Sequence, residues 1–266
     1  MILKFLNHFL HQNNSRAASK IAMFHIGRCG STVVAKLLAQ HRQIFWANEL
    51  YEPIFKQWER SNPGFTEPGV MPIPPIEYLI SSIGKSKTQT YGFEIKPYHF
   101  RLINVSFEEY LNSIEQLGFE HFILLDRKNK LRKILSSIKA QKSGVYHLEK
   151  GSKPQFQKIN IPIDNIQIDH ESKSLLSFID DYVKDMDSIG NMLEAKKVLK
   201  LTYEEDIEED PINAYGKICD FIGVKKLQPI ISLSKTTPFP VKDLVANYNE
   251  VANCLKLSSH GWMLEN

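Results

Sequence analysis

The sequence predicts a three-layer α/β/α fold around a central parallel sheet. Three observations predict it. Short apolar runs alternate with stretches of helical periodicity, the rhythm of strand–helix–strand units. One junction, "FHIGRCGSTVVAKLL", passes from an apolar run through a glycine-bearing turn into a helical pattern. The chain has 266 residues, 42 % of them hydrophobic, enough to bury a core without covalent staples.

The elements follow in order. "MILKFLNHFLHQ" has apolar residues at helical spacing interrupted by Lys4, Asn7 and His8, so residues 1–19 read as a docking helix rather than a signal peptide. "KIAMFHI" (20–26) reads as a buried strand, and Val34, Leu37, Leu38 and His41 follow at helix spacing. "QIFWA" (43–47), "YGFEI" (91–95), "HFILL" (121–125) and "KVLKLTY" (197–203) are the next strands. Leu131, Ile134, Leu135 and Ile138 mark one apolar helix face. A last helix opens at Pro211, carries Ile212, Tyr215, Cys219 and Ile222 inward and stops at Gly223. Residues 53–86 hold six prolines and are expected to form a long irregular excursion; residues 143–165 form another. Such loops on an α/β scaffold serve as lids or substrate walls, or as plain surface. The expected organisation is a single domain: an N-terminal helix (1–19), a core (20–225) and a C-terminal segment (226–266).

Composition narrows the classes of function. A net charge of +3 suits anionic small ligands and falls short of the basic stripe of a nucleic-acid binder. The three cysteines, Cys29, Cys219 and Cys254, are odd in number and widely spaced, which reads as a reduced, cytoplasmic chain. No apolar run approaches the ~20 residues that span a bilayer. The histidines form no metal signature. The acidic run "EEDIEED" (204–210) is expected to be solvated and to favour the N-terminus of the helix that follows.

The loop 27–32 sits where ligands bind in parallel sheets, at the carboxyl end of a strand. Backbone N–H groups of Gly30, Ser31 and Thr32 at a helix start face an anion, and Ser31 or Thr32 is positioned to cap that helix. An uncharged strand-to-helix turn explains the letters as well. A cysteine phosphatase needs an arginine six residues after its cysteine, and Ala35 stands there. An NTPase loop needs a lysine where Gly30 stands, although "FILLD" (122–126) imitates its acidic strand end.

"GRCGST" followed by "VVAKLL" resembles the 5′-phosphosulfate loop of sulfotransferases that use 3′-phosphoadenosine 5′-phosphosulfate (PAPS), in the branch whose loop carries an arginine. "WANELYEP" places Glu49 where those sequences carry a glutamate, with Glu52 near it. "FILLDRKNKLRKILSSIKAQKSGVYH" resembles the family's 3′-phosphate segment, with Arg127 and Ser136 nine positions apart. That spacing and the trailing "SGVYH" look closest to bacterial carbohydrate sulfotransferases of the trehalose-sulfating type. "LTYEEDIEEDPINAYGKICDFIGV" is a weaker match, and "NYNEVANCLK" also has a familiar look. The blocks are scattered over residues 20–225. Cys29 departs from the usual serine, and Asp126 directly precedes Arg127, where it could blunt that arginine's charge.

The resemblance implies a P-loop-like sulfotransferase core and in-line transfer of a sulfuryl group from PAPS to a hydroxyl of a carbohydrate, glycolipid or small molecule, leaving adenosine 3′,5′-bisphosphate. It assigns the donor to Arg28, Cys29, Gly30, Ser31, Thr32, Arg127 and Ser136, with no metal required. Arg28 and the loop amides would stabilise the leaving phosphate, and Arg127 with Ser136 would hold the 3′-phosphate. Glu49 would be the general base, its pKa raised toward neutrality in a partly closed cleft; Glu52, Glu94 and His99 compete, and Lys96 is a further cation near the sulfuryl. The acceptor pocket is expected from the two excursions, with Phe55, Trp58, Tyr146 and Phe156 as candidate walls. No nucleic-acid partner is implied, and the N-terminal segment is compatible with a homo-oligomer. Two readings stay open beside this one: an ATP-dependent kinase or NTPase with a degenerate loop, and a catalytically inactive nucleotide-binding module.

Overall fold

In the computed structural model, residues 19–86 and 89–265 are described. The helix expected at residues 1–19 lies outside them, apart from Ser19.

Five strands form one parallel sheet. They are β1 (Lys20–His25), β2 (Ile44–Glu49), β3 (Thr90–Ile95), β4 (His121–Asp126) and β8 (Val198–Thr202). Their order across the sheet is β2-β3-β1-β4-β8. All six residues of β3 are buried, as are five of six in β1 and in β4. Continuous burial means that both sheet faces are covered, which is why these strands read as unbroken apolar runs. Helix α1 (Ser31–Leu38) packs beside α9 (Ile212–Ile222), and α6 (Lys130–Ser143) beside α7 (Leu175–Met192). The expected parallel sheet flanked by helices is what forms.

The excursion at 53–86 is largely helical, not irregular. It contains α2 (Glu52–Ser61) and α3 (Pro75–Ile83). Pro53 and Pro75 fall in the first turns of these helices, where a missing N–H costs nothing, so they start helices instead of breaking them. Only residues 62–74 run without regular structure. Helices α4 (Pro97–Leu102), α5 (Phe107–Gln116) and α7 go beyond the expected set, as does the single turn α8 (Tyr203–Asp206) directly after β8. The two longest carry legible signals: Ser106 and Glu109 form a capping box for α5, and Ser174 caps α7. Helix α9 ends as expected, with Gly223 at φ 71°. Two residues expected to point inward from it, Ile212 and Ile222, are only half-buried, and Ala214 and Ile218 complete its buried face.

Two small antiparallel pairs complete the strands. β5 (Leu148–Glu149) pairs with β9 (Leu233–Ser234), and β6 (Ile166–Ile168) pairs with β7 (Glu171–Lys173). Among the described residues no helix is long and apolar enough to cross a membrane.

Candidate functional site

Glu49, Arg28, Lys96, Arg127 and Tyr203 each come from the end of a different strand of the sheet, or from the residues just after it. All lie at the carboxyl edge, where a parallel sheet leaves its ligand crevice.

The loop after β1 has an unusual backbone. Gly27, Arg28 and Gly30 all have positive φ, at 75°, 52° and 84°. Gly30 is itself the N-cap of α1, and no side chain caps that helix, contrary to the expectation for Ser31 or Thr32. The first-turn amides are therefore left to a ligand or to water. Residue 30 has no room for a side chain, since a Cβ there would lie 2.7 Å from Ile207 Cγ2. Cys29 turns the other way: its side chain is fully buried, with Sγ 3.7 Å from His25 Nδ1, so its backbone alone serves the loop.

Arg28, Arg127 and Ser136 converge although they lie up to 108 positions apart. Arg28 donates from Nε to Ser136 Oγ (2.9 Å), from Nη1 to the Tyr146 carbonyl (2.9 Å) and from Nη2 to Thr236 Oγ1 (3.3 Å). Arg127 donates from Nη1 to the Arg28 carbonyl at 2.9 Å and lies over the Tyr203 ring at 4.3 Å. Its Nε is buried and has no hydrogen-bond partner among the described residues. Asp126 does not blunt Arg127: both its oxygens take the Lys130 ammonium, at 2.5 and 2.6 Å. The acidic run also acts differently from expectation. Glu204 accepts from the backbone N–H groups of Lys128 (2.9 Å) and Asn129 (3.1 Å), which anchors the turn that follows Arg127.

These groups line a cavity of about 350 Å³, together with Gly30, Ser31, Thr32 and Tyr203. His147, Leu148, Leu233 and Ser234 form part of its wall where β5 meets β9. Among the described residues neither Arg28 nor Arg127 has a carboxylate within ion-pair distance. Burial and the neighbouring Arg127 charge lower the Arg28 pKa. Two guanidinium groups held together without a counter-charge make a strong anion site.

Glu49 lies elsewhere along this edge. Its carboxylate pairs with Lys96 Nζ at 2.6 Å. Burial pushes its pKa up, but Lys96, His25 and His99 outweigh burial and bring it down to about 2. The expectation of a pKa raised toward neutrality is thus corrected, because the register of β2 against β3 brings a lysine to it. Glu52 moves in the raised direction, through burial. His99 is fully buried, its Nε2 lacks a partner, and burial with Lys96 nearby holds its pKa well below the ordinary value. Glu94 is committed to the core: it accepts from Trp46 Nε1 at 2.8 Å and faces His25 Nε2 at 3.2 Å. Lys96 borders the loop directly, since a Cβ on Gly27 would lie 3.4 Å from its Cε.

Two trios, His25–Glu49–Glu94 and Glu49–Glu52–His99, bring potential metal-ligand atoms within 4.8 Å of one another. No compact sequence motif announces them. Lys96 already supplies the positive charge beside Glu49.

Of the aromatic residues expected around an acceptor, Phe55 is buried in the core and Trp58 packs on Phe65. Phe156 is exposed against Phe239, and Tyr146 lines the Arg28 cavity. Sequence reading missed Tyr203, Thr236 and Asp169, whose places depend on tertiary contacts.

No family model matches the sequence, nor does any curated protein. Among solved structures the chain is similar to a sulfotransferase from Alicyclobacillus acidocaldarius, with 14% identity, 94% of this chain and 95% of that chain covered, and a TM-score of 0.49. It is similar to mouse sulfotransferase SULT7A1 complexed with PAP at 15% identity, covering 85% of this chain and 65% of that one, TM-score 0.41. A sulfotransferase from Mycobacterium tuberculosis H37Rv, STF1, matches at 11% identity over 84% of this chain and 72% of that one, TM-score 0.42.

Proposed function

We propose that the chain transfers a sulfuryl group from PAPS to an acceptor hydroxyl. The observation that carries this reading is the pair Arg28 and Arg127, held together without a carboxylate beside the uncapped start of α1. A donor with a phosphosulfate at one end and a 3′-phosphate nearby fits a cavity with two sets of anion donors. The 5′-phosphosulfate would meet the amides of Gly30, Ser31 and Thr32. The 3′-phosphate would meet Arg127, whose Nε has no partner, and Ser136. Arg28 bridges these elements through its contact with Ser136.

Sulfuryl transfer builds charge on the leaving phosphate oxygen, so fixed donors aimed there lower the barrier. The loop amides and Arg28 take that role. Lys96 stands at Gly27, with Glu49 as its counter-ion. Acceptor deprotonation falls to the Glu49–Glu52 carboxylates. Of the two, Glu52 has the pKa direction a base at neutral pH requires, and Glu49 keeps Lys96 in place. The kinase reading loses its support at Asp126, because Lys130 occupies that carboxylate.

The test is a titration with adenosine 3′,5′-bisphosphate beside ADP and ATP, each with and without magnesium. Magnesium-independent preference for the bisphosphate, lost in Arg127→Ala, is expected. Preference for ATP, or binding of none of the three, would overturn the reading.

A further inference from the structure

A second cavity, of about 280 Å³, opens beside the same loop. Ile26 lines this cavity and Arg28 lines the first, so the loop after β1 separates them. Tyr98 and Asp169 also line it. The Tyr98 hydroxyl lies 3.4 Å from Lys96 Nζ, and Lys96 holds Glu49. A hydroxyl in this cavity would therefore approach the Lys96–Glu49 pair from the side away from the donor. In-line displacement needs that arrangement.

The walls sort the chemistry of the occupant. They are charged, which disfavours an acyl chain or a steroid-like ring system. The cations are already matched: Arg101 pairs with Glu171 at 3.2 Å, and Lys173 with Glu171 at 2.8 Å and Asp181 at 2.7 Å. An anionic acceptor thus finds no free positive partner among them. Asp169 is matched by Lys133, which also donates to the Tyr182 hydroxyl at 2.6 Å. Asp185 differs. It is half-buried in the cavity wall and makes no hydrogen bond or ion pair among the described residues. Tyr98, Phe178 and Tyr182 add ring surface of the kind on which the C–H face of a sugar packs.

Resting on the sulfuryl-transfer reading, we propose that this cavity receives the acceptor, and that the acceptor is a small hydroxyl-rich molecule bearing an ammonium group, of the amino sugar or amino alcohol kind, with the ammonium against Asp185. Burial and the nearby Asp181 charge push Asp185 up to about 6, and an arriving ammonium relieves both.

The experiment uses the full chain. Sulfuryl transfer from PAPS is measured to glucosamine, glucose and 2-naphthol, in wild type and in Asp185→Asn. Glucosamine binding is followed separately by ligand NMR without donor. The expected result is at least a tenfold kcat/KM preference for glucosamine over glucose, falling toward parity in Asp185→Asn through a higher KM. Affinity for adenosine 3′,5′-bisphosphate should stay at the wild-type value in that variant, which also reports its folding. Equal use of the two sugars, a preference that survives Asp185→Asn, or 2-naphthol as best acceptor would overturn the proposal. Failure of the donor reading is seen apart from this: the bisphosphate would not bind, while Asp185-dependent glucosamine binding would still support the ammonium pocket.

Discussion

Arg127 Nη1 donates to the carbonyl oxygen of Arg28 at 2.9 Å, so the arginine that follows β4 holds the backbone of the loop that follows β1. One side chain thereby supports the positive-φ conformation at Arg28 and offers its remaining donors to the cavity. Loop shape and anion affinity are coupled through it.

Arg127→Ala is expected to weaken adenosine 3′,5′-bisphosphate binding by about 1.5–3 kcal/mol, ~10- to 100-fold in Kd. Arg127→Lys should fall between, since it keeps the charge and loses the fork. Isothermal titration of the three proteins checks this, and equal affinities would remove Arg127 from the donor site.

Arg28→Ala is expected to lower kcat by ~10²–10³, the loss typical of an oxyanion donor. Ser136→Ala should cost far less, because it removes one hydrogen bond of 2.9 Å while Tyr146 and Thr236 still hold the guanidinium. Steady-state kinetics with PAPS compares them, and a Ser136→Ala loss as deep as that of Arg28→Ala contradicts the ordering.

Glu49 is expected to make stability depend on pH in the acid range. Its folded pKa, about 2, lies below its ordinary value of 4.5. A depressed carboxylate contributes stability that is full above pH 4.5 and is lost as pH falls toward 2. Glu49→Gln should cost about 3 kcal/mol at pH 7, because Lys96 is left half-enclosed without its partner. Urea melts at pH 7 and pH 3 should show the gap between wild type and variant narrowing at the lower pH. A constant gap would mean that Glu49 does not titrate there.

Gly30→Ala is expected to destabilise the fold by about 1–3 kcal/mol, through a positive φ and the contact with Ile207. Adding Ile207→Ala should recover only part of the melting temperature, since space is restored and the backbone preference is not. Full recovery would show that crowding alone matters at this position.

The sheet was legible because its strands are buried on both faces and stand out as apolar runs between turn residues. Arg28, Arg127 and Ser136 were legible for a related reason: each sits at a fixed offset from a strand end. Glu49 could be found but its charge state could not. Lys96 is 47 positions away, and only the pairing of β2 with β3 brings them together. Asp169 and His170 adopt positive φ in the turn between β6 and β7, where no periodicity marks them. The prolines of 53–86 misled because the same residue breaks a helix inside and opens one at its first turn.

The strip where Leu148 meets Ser234 and Glu149 meets Leu233 is only two residues long on each side. So short a ribbon has little cohesion of its own, and it closes the Arg28 cavity with chain from residues 143–165 and from the C-terminal segment. Unzipping it is the least costly way to let a bulky nucleotide pass. Departure of the spent bisphosphate then becomes a traffic problem at this hatch. A disulfide across it, made in the double variant Leu148→Cys with Ser234→Cys, should trap the nucleotide inside while leaving the bond-breaking groups untouched.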